Sequence, residues 1–308
     1  MKTLQLRTRS AATRAFTLIE IMVATVIMVV LVGLVIQITS EVLKVWSRSS
    51  GKLAANAEAR IAMDMITQDL ETAVFRNNGL QWLRSEDDTV SGPAGTSNAT
   101  VALRLFSPAL DRPDGPGDIC AIAYKLDYLN AVTGTATGDR LFVLYRLVVN
   151  PKDTFDGLMG TANQKSLPNK GASAWTGPSV NESIVGVNGA NYLVSNIVEF
   201  QIEFHVQDDG DPDTVTLITD AAGTIYGGQI GVPPTVGPQA YPSAAPTALQ
   251  LLAYRQPLAY AEVKLTVISD AGAQMLENIA KIPETVDEVI QQYGDTFIRR
   301  VNFMAHPL

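Results

Sequence analysis

Cysteine is almost missing from this 308-residue chain: Cys120 stands alone, so no intrachain disulfide can staple the fold. It lies in the apolar run Ile119-Cys120-Ala121-Ile122-Ala123-Tyr124, where a buried, inert thiol is expected. Histidine is nearly as scarce, with His205 and His306 only, and neither has a metal-ligand or catalytic partner close by in sequence. The chain also lacks a Gly-rich phosphate loop after a strand, a Gly-x-Ser-x-Gly elbow and any His/Cys cluster with metal spacing. No enzyme class that leaves a motif is therefore indicated, and no catalytic residue is expected. Charged residues make up 18% of the chain, and their balance is acidic, −8 at pH 7. An acidic surface disfavours contact with a phosphate backbone, so no nucleic-acid partner is expected.

Acidic residues are absent from one end. Residues 1–15 carry Lys2, Arg7, Arg9 and Arg14 and no Asp or Glu. Behind this basic leader, Ile21 to Ser40 is an apolar stretch without a single charge. As a helix its twenty residues would extend roughly 30 Å, the thickness of bilayer hydrocarbon. The positive-inside bias places the N-terminus in the cytoplasm and the rest outside. At the lip of this span stands Glu20, a carboxylate whose desolvation is costly unless a partner is supplied.

The span admits three roles. A secretory signal peptide has an apolar core of about 7–15 residues followed directly by a small-x-small site. Here the run is longer, and the Ala-rich candidate at Ala55 to Ala59 lies well beyond its end. An ordinary signal anchor accounts for length and orientation and gives no reason for Glu20. The third role comes from a resemblance. Ala15-Phe16-Thr17-Leu18-Ile19-Glu20, with the basic leader before it and the charge-free helix after it, resembles the class III signal of type IV pilins and type II secretion pseudopilins.

That resemblance implies cleavage by a prepilin peptidase between Ala15 and Phe16, followed by methylation of the new N-terminus at Phe16. Ala15 departs from the Gly usual in the family and keeps the residue small. Glu20 becomes the fifth residue of the mature chain, and loss of the leader's four positive charges takes the formal net charge from −8 to −12. The family further implies sibling pilin or pseudopilin subunits and an inner-membrane assembly platform as partners, with membrane lipid around the helix before assembly. The new α-amine, a cation near neutral pH, would meet the Glu20 carboxylate of a neighbour and set the stagger, much as a lone polar residue sets the register of a coiled coil.

The rest of the chain reads as one α+β protein: a long N-terminal membrane-spanning helix packed on a C-terminal, mainly antiparallel β-domain. Met63, Ile66, Leu70 and Ala73/Val74 recur at helical spacing. One helix is therefore expected from Phe16 to about Phe75, with residues 16–40 as span and 41–76 as amphipathic continuation; a break near Ser49-Ser50-Gly51 is the alternative. Residues 77–308 form the β-rich domain. Strands are expected at Val101–Phe106, Ile119–Tyr128, Leu141–Val149, Ile197–Val206 and Tyr260–Ile268, with Val198, Phe200, Ile202 and Phe204 on one face of theirs. Loops are expected at Ser85–Ala99 and, at greater length, over 151–189 and 220–246. Helices follow at Ala271–Ile282 and Glu284–Tyr293, and a last strand at Phe297–Phe303.

The order of parts is similar to the large minor pseudopilin J of that family: a helix ending Asp69-Leu70-Glu71, a strand rich in Tyr, a strand with Tyr145-Arg146, then Val198–Phe204 and Pro257–Leu265. Asp209-Gly210-Asp211-Pro212-Asp213 spaces its carboxylates as a calcium loop does. Thr214 stands where such a loop wants Gly, so a solvated acidic tip is the simpler assignment. No cofactor is expected; calcium at Asp209, Asp211 and Asp213 is the one metal site left open. The expected place is the inner membrane in a single pass, with the C-terminal domain in the periplasm, and then a periplasmic pseudopilus or a surface pilus. The class outside that family is a signal-anchored periplasmic binding or catalytic domain.

Overall fold

The computed structural model describes residues 17–75, 81–109, 117–159, 167–207, 215–217, 225–226, 258–281 and 283–303. It is α+β: a long apolar N-terminal helix and a C-terminal domain of antiparallel sheet. Two compact units divide it, Met1–Ser49 and Ser50–Leu308. Helix α1, Leu18–Glu71, supplies the described part of the first and the opening of the second, and it stays helical through Ser49, Ser50 and Gly51. It ends at Glu71, four residues earlier than the apolar spacing suggested, because Val74 N–H leaves the helical pattern to bond Phe106 O at 2.8 Å.

In the first unit residues 17–47 are exposed, including the branched and aliphatic side chains from Leu18 to Val45. In the second, the same helix buries Ala55, Ala59, Ala62, Met63, Ile66 and Leu70. These recur every three or four residues and make one apolar stripe. Small residues lead the stripe, so the backbone lies close to the domain there. Asn56 Nδ2 donates to Asp295 Oδ2 at 2.8 Å, Lys52 Nζ to Gly294 O at 3.3 Å, and Arg299 pairs with Asp64, all along one side of α1.

Among the described residues the domain holds β1 (Leu83–Ser91), β2 (Ser97–Ser107), β3 (Cys120–Leu129), β4 (Leu141–Val149), β5 (Ala174–Thr176), β6 (Asn181–Ser183), β7 (Tyr192–Ser195), β8 (Ile197–Gln207), β9 (Val215–Leu217), β10 (Ile225–Tyr226), β11 (Leu258–Ile268) and β12 (Gly294–Asn302). They form a six-stranded sheet in the order β10-β1-β2-β3-β4-β7, a four-stranded sheet β12-β11-β8-β9 and the hairpin β5-β6, antiparallel throughout.

Alternation sorts the six-stranded sheet into two faces. Leu103, Leu105, Ile122, Tyr124, Leu126, Leu144 and Arg146 share the inner one, since Leu103 pairs with Tyr124 and Tyr124 with Arg146. Val198, Phe200, Ile202 and Phe204 of β8 are buried, as their spacing predicted, and the Phe200 ring meets that of Tyr124 at 6.4 Å. The stripe of α1 belongs to the same contiguous core.

All three stretches expected as loops are partly regular. Ser85–Ala99 contains most of β1, a single turn at Pro93–Gly95 and the start of β2. Its Ser, Glu and Asp content suggests a loop, yet nine consecutive pairings from Leu83↔Leu105 to Ser91↔Ser97 hold it as a strand. Tertiary pairing overrides propensity there. Residues 151–189 carry a turn of helix at Pro151–Asp153, capped by the Asn150 side chain, a wider helical turn at Thr154–Leu158, and β5-β6. Within 220–246, β10 adds two residues to the edge of β1, and the remainder lies outside the described residues. The two late helices are shorter than expected, Asp270–Glu277 and Val286–Tyr293. The second is opened by a capping box between Thr285 and Glu288 and followed directly by β12 at Gly294.

Candidate functional site

The first turn of α1 answers part of the question posed by Glu20. Thr17 precedes the helix and Glu20 is its third residue, the spacing of a capping box. Thr17 Oγ1 accepts the Glu20 N–H at 3.3 Å, while Glu20 Oε2 accepts both the Thr17 N–H and the Thr17 hydroxyl, each at 2.9 Å. Two amides that the helix start would leave unpaired are satisfied reciprocally. The carboxylate also faces the positive end of the helix dipole. Oε1 accepts no hydrogen bond from the described residues. Thr17 was missed in the sequence, although Thr-x-x-Glu ahead of an apolar run is the signature of such a box. Ala15 and Phe16 lie outside the described residues, as do Asp209, Asp211 and Asp213.

Behind this turn, α1 is long and apolar enough to cross a membrane, by length and composition. Among the described residues no group of three His, Cys, Asp or Glu side chains could hold a metal ion. Compared with family models, curated proteins and solved structures, the chain finds no match.

The helix is fastened to the domain by a buried polar triad. Asp69 on α1 is 3% exposed and receives Arg146 of β4 through two hydrogen bonds, Nε to Oδ2 at 2.8 Å and Nη2 to Oδ1 at 3.0 Å. Tyr124 of β3 donates to Asp69 Oδ2 at 2.5 Å and accepts from Arg146 Nε at 3.0 Å. The fork of the guanidinium fits the carboxylate edge-on, so orientation as well as charge is specified. Asp69 and Arg146 were both part of the sequence pattern, but nothing in a linear sequence shows that 77 residues of separation close to hydrogen-bond distance. Cys120, as expected, is buried, and it forms no disulfide.

Burial, reinforced by the Asp69 charge, pushes the Tyr124 phenol well above its ordinary value near 10. Burial likewise raises Tyr145 to about 12. A phenol that holds its proton more tightly when folded contributes stability that is complete below the unfolded pKa and is lost as pH rises past it. Unfolding midpoints taken across pH 8 to 12 are therefore expected to be flat up to about 10 and then to fall. In Tyr124→Phe the fall above that pH is expected to be shallower than in the parent, and an identical slope would contradict it.

Proposed function

We propose that this chain is a pilin-like subunit, most like a minor pseudopilin of a type II secretion system. Its leader, residues 1–15, is removed by prepilin peptidase, Phe16 becomes the methylated N-terminus, and the protein enters a short periplasmic filament through α1. The observation that carries this reading is the contrast along α1: residues 17–47 stay exposed although most are apolar, while the Ala55–Leu70 stripe is buried. Such a surface needs a non-aqueous partner: lipid before assembly, sibling helices after it. Leu53 and Ile61, 73% and 60% exposed, extend bare apolar surface to the outer side of the helix where its inner side is covered. The β-domain then meets sibling subunits or cargo, and the inner-membrane assembly platform drives incorporation. The work is mechanical, with no catalytic step.

Glu20 divides its two oxygens in this scheme. Oε2 closes the capping box, and Oε1 receives the α-amine of the neighbouring subunit. The local cap also favours a second reading, a signal-anchored periplasmic domain, because it gives Glu20 a role that needs no other chain. Mass spectrometry of the membrane-extracted protein separates the two. A mature chain beginning at N-methylated Phe16 is expected, and an intact Met1 or a retained leader would sink the pilin reading. Replacing Ala15 by Leu is expected to leave the leader in place, read by the same measurement.

A further inference from the structure

Among the described residues the sheet edges of the β-domain are short, with one exception. The six-stranded sheet ends in β10, two residues long, and β7, four residues; the four-stranded sheet ends in β9, three residues, and β12, nine residues. A bare edge strand is a template for another chain, and proteins blunt it by shortness, by proline or by a bulge. β12 has none of these: Gly294–Asn302 contains no proline and pairs with β11 at nine consecutive positions without a shift in register.

The ladder fixes which backbone groups that edge offers. Phe303 N–H donates to Ala259 O at 3.3 Å, so by alternation Val301, Arg299 and Phe297 also exchange their hydrogen bonds with β11. The N–H and C=O of Thr296, Ile298 and Arg300 then point away from β11. Gly294 keeps the same sense, its N–H bonding Ile290 O and its carbonyl accepting from Lys52 Nζ. Past that point no described strand pairs with this side of β12. Thr296, Ile298 and Arg300 are exposed, Ile298 to 66%, so the groups are within reach of a partner.

Charge selects the kind of strand. Arg299 and Arg300 are neighbours on this edge although the chain as a whole carries −8. Arg299 pairs with Asp64, and Arg300 lies over the Tyr260 ring at 3.5 Å with Glu262 opposite it on β11 and no ion pair among the described residues. A second copy of β12 would gather four arginines on one strand pair, and its one acid, Asp295, is already held by Asn56 and Lys52. An acidic strand gains where a second copy does not, since opposite charges across a strand pair attract. We propose that β12 is a docking edge for an extended segment of another polypeptide, added antiparallel, with an apolar residue opposite Ile298 and acids opposite Arg299 and Arg300. Backbone bonds to Thr296, Ile298 and Arg300 supply the affinity, and the two arginines the selection. The edge lies wholly on the β-domain, so the inference holds for a pilin subunit and for a signal-anchored domain alike.

The test uses the full-length chain in detergent micelles and a fluorescein-labelled peptide, Thr-Val-Glu-Glu-Ile-Val-Thr, whose isoleucine falls opposite Ile298 in the antiparallel register. Its anisotropy is expected to rise saturably with protein. The same peptide with both glutamates replaced by lysine is expected to bind at least about tenfold more weakly, since two attractive pairs become repulsive. Methylating the isoleucine nitrogen, which removes the donor facing the Ile298 carbonyl, is expected to weaken binding about tenfold, whereas methylating the nitrogen of the glutamate before it, which points away from β12, is expected to leave it within about twofold. Arg300→Gln is expected to bind the acidic peptide about fivefold more weakly. The proposal is overturned if the acidic peptide does not bind saturably, if acidic and basic peptides bind alike, or if the two methylations have equal effects. If instead a short bis-maleimide efficiently joins two Ile298→Cys chains and the labelled peptide does not bind, the edge belongs to a second copy and the proposal is overturned. Should Arg300→Gln fail to fold, the peptide comparisons on the parent decide by themselves.

Discussion

Replacing Asp69 by alanine is expected to lower the stability of the β-domain by about 3–5 kcal/mol, the cost of leaving a buried cation without its partner. Arg146 would keep its guanidinium beside Tyr124 with the acceptor for two of its hydrogen bonds removed. The Tyr124 hydroxyl would lose its acceptor in the same step. Removing both charges is a different matter. Asp69→Leu combined with Arg146→Met replaces the pair by apolar groups of similar bulk, and the double variant is expected to be clearly more stable than Asp69→Ala. Denaturant midpoints followed by tryptophan fluorescence, with Trp82 and Trp175 fully buried, give the comparison. If the single and double variants unfold together, the triad contributes shape and not charge compensation.

Glu20→Gln and Glu20→Ala are expected to lose filament incorporation equally, while both insert in the membrane and are processed. The pair is informative because glutamine can still close the capping box with Thr17, whereas alanine cannot. Charge, and not the cap, is thus isolated by the glutamine variant. Thr17→Val supplies the converse, losing the hydroxyl while keeping the carboxylate, and is expected to assemble. Co-purification with sibling subunits after crosslinking measures each. Normal incorporation of Glu20→Gln would reduce Glu20 to a helix start and remove the register role.

The long helix, its buried stripe and the principal strands were legible because each is written in a period, 3.6 for Met63, Ile66 and Leu70 and 2 for Val198 to Phe204. Strand β1 was not, since Ser85, Glu86, Asp87 and Asp88 break the apolar alternation. Glu86 and Asp88 do so because one face of the strand is polar, with Glu86 held by Arg84 and by the Lys170 amide, while Ser85 and Asp87 alternate onto the face of Leu83. For the N-terminal turn the situation was mixed. Glu20 stood out as an unpaired carboxylate by its position at the edge of the span, and Thr17 passed as filler within a processing motif although the two side chains form one unit. The triad was beyond reach, because its three members sit on three elements and only folding brings them together.

Helix α1 is held at Lys52, Asn56 and Asp64 by Gly294, Asp295 and Arg299, partners 235 to 242 residues further along the chain. β12, which carries them, also completes the edge of the four-stranded sheet. Contacts of such separation form late and slowly, since loop closure must precede any gain from them. The order of events during synthesis follows. While residues beyond about Val267 are still in the ribosome or in a translocation channel, the helix has no strand to grip, and its Ala55–Leu70 stripe lacks part of its cover. A ribosome stalled short of Gly294 would present a nascent chain open to protease near Lys52, and release of the last strand would close it.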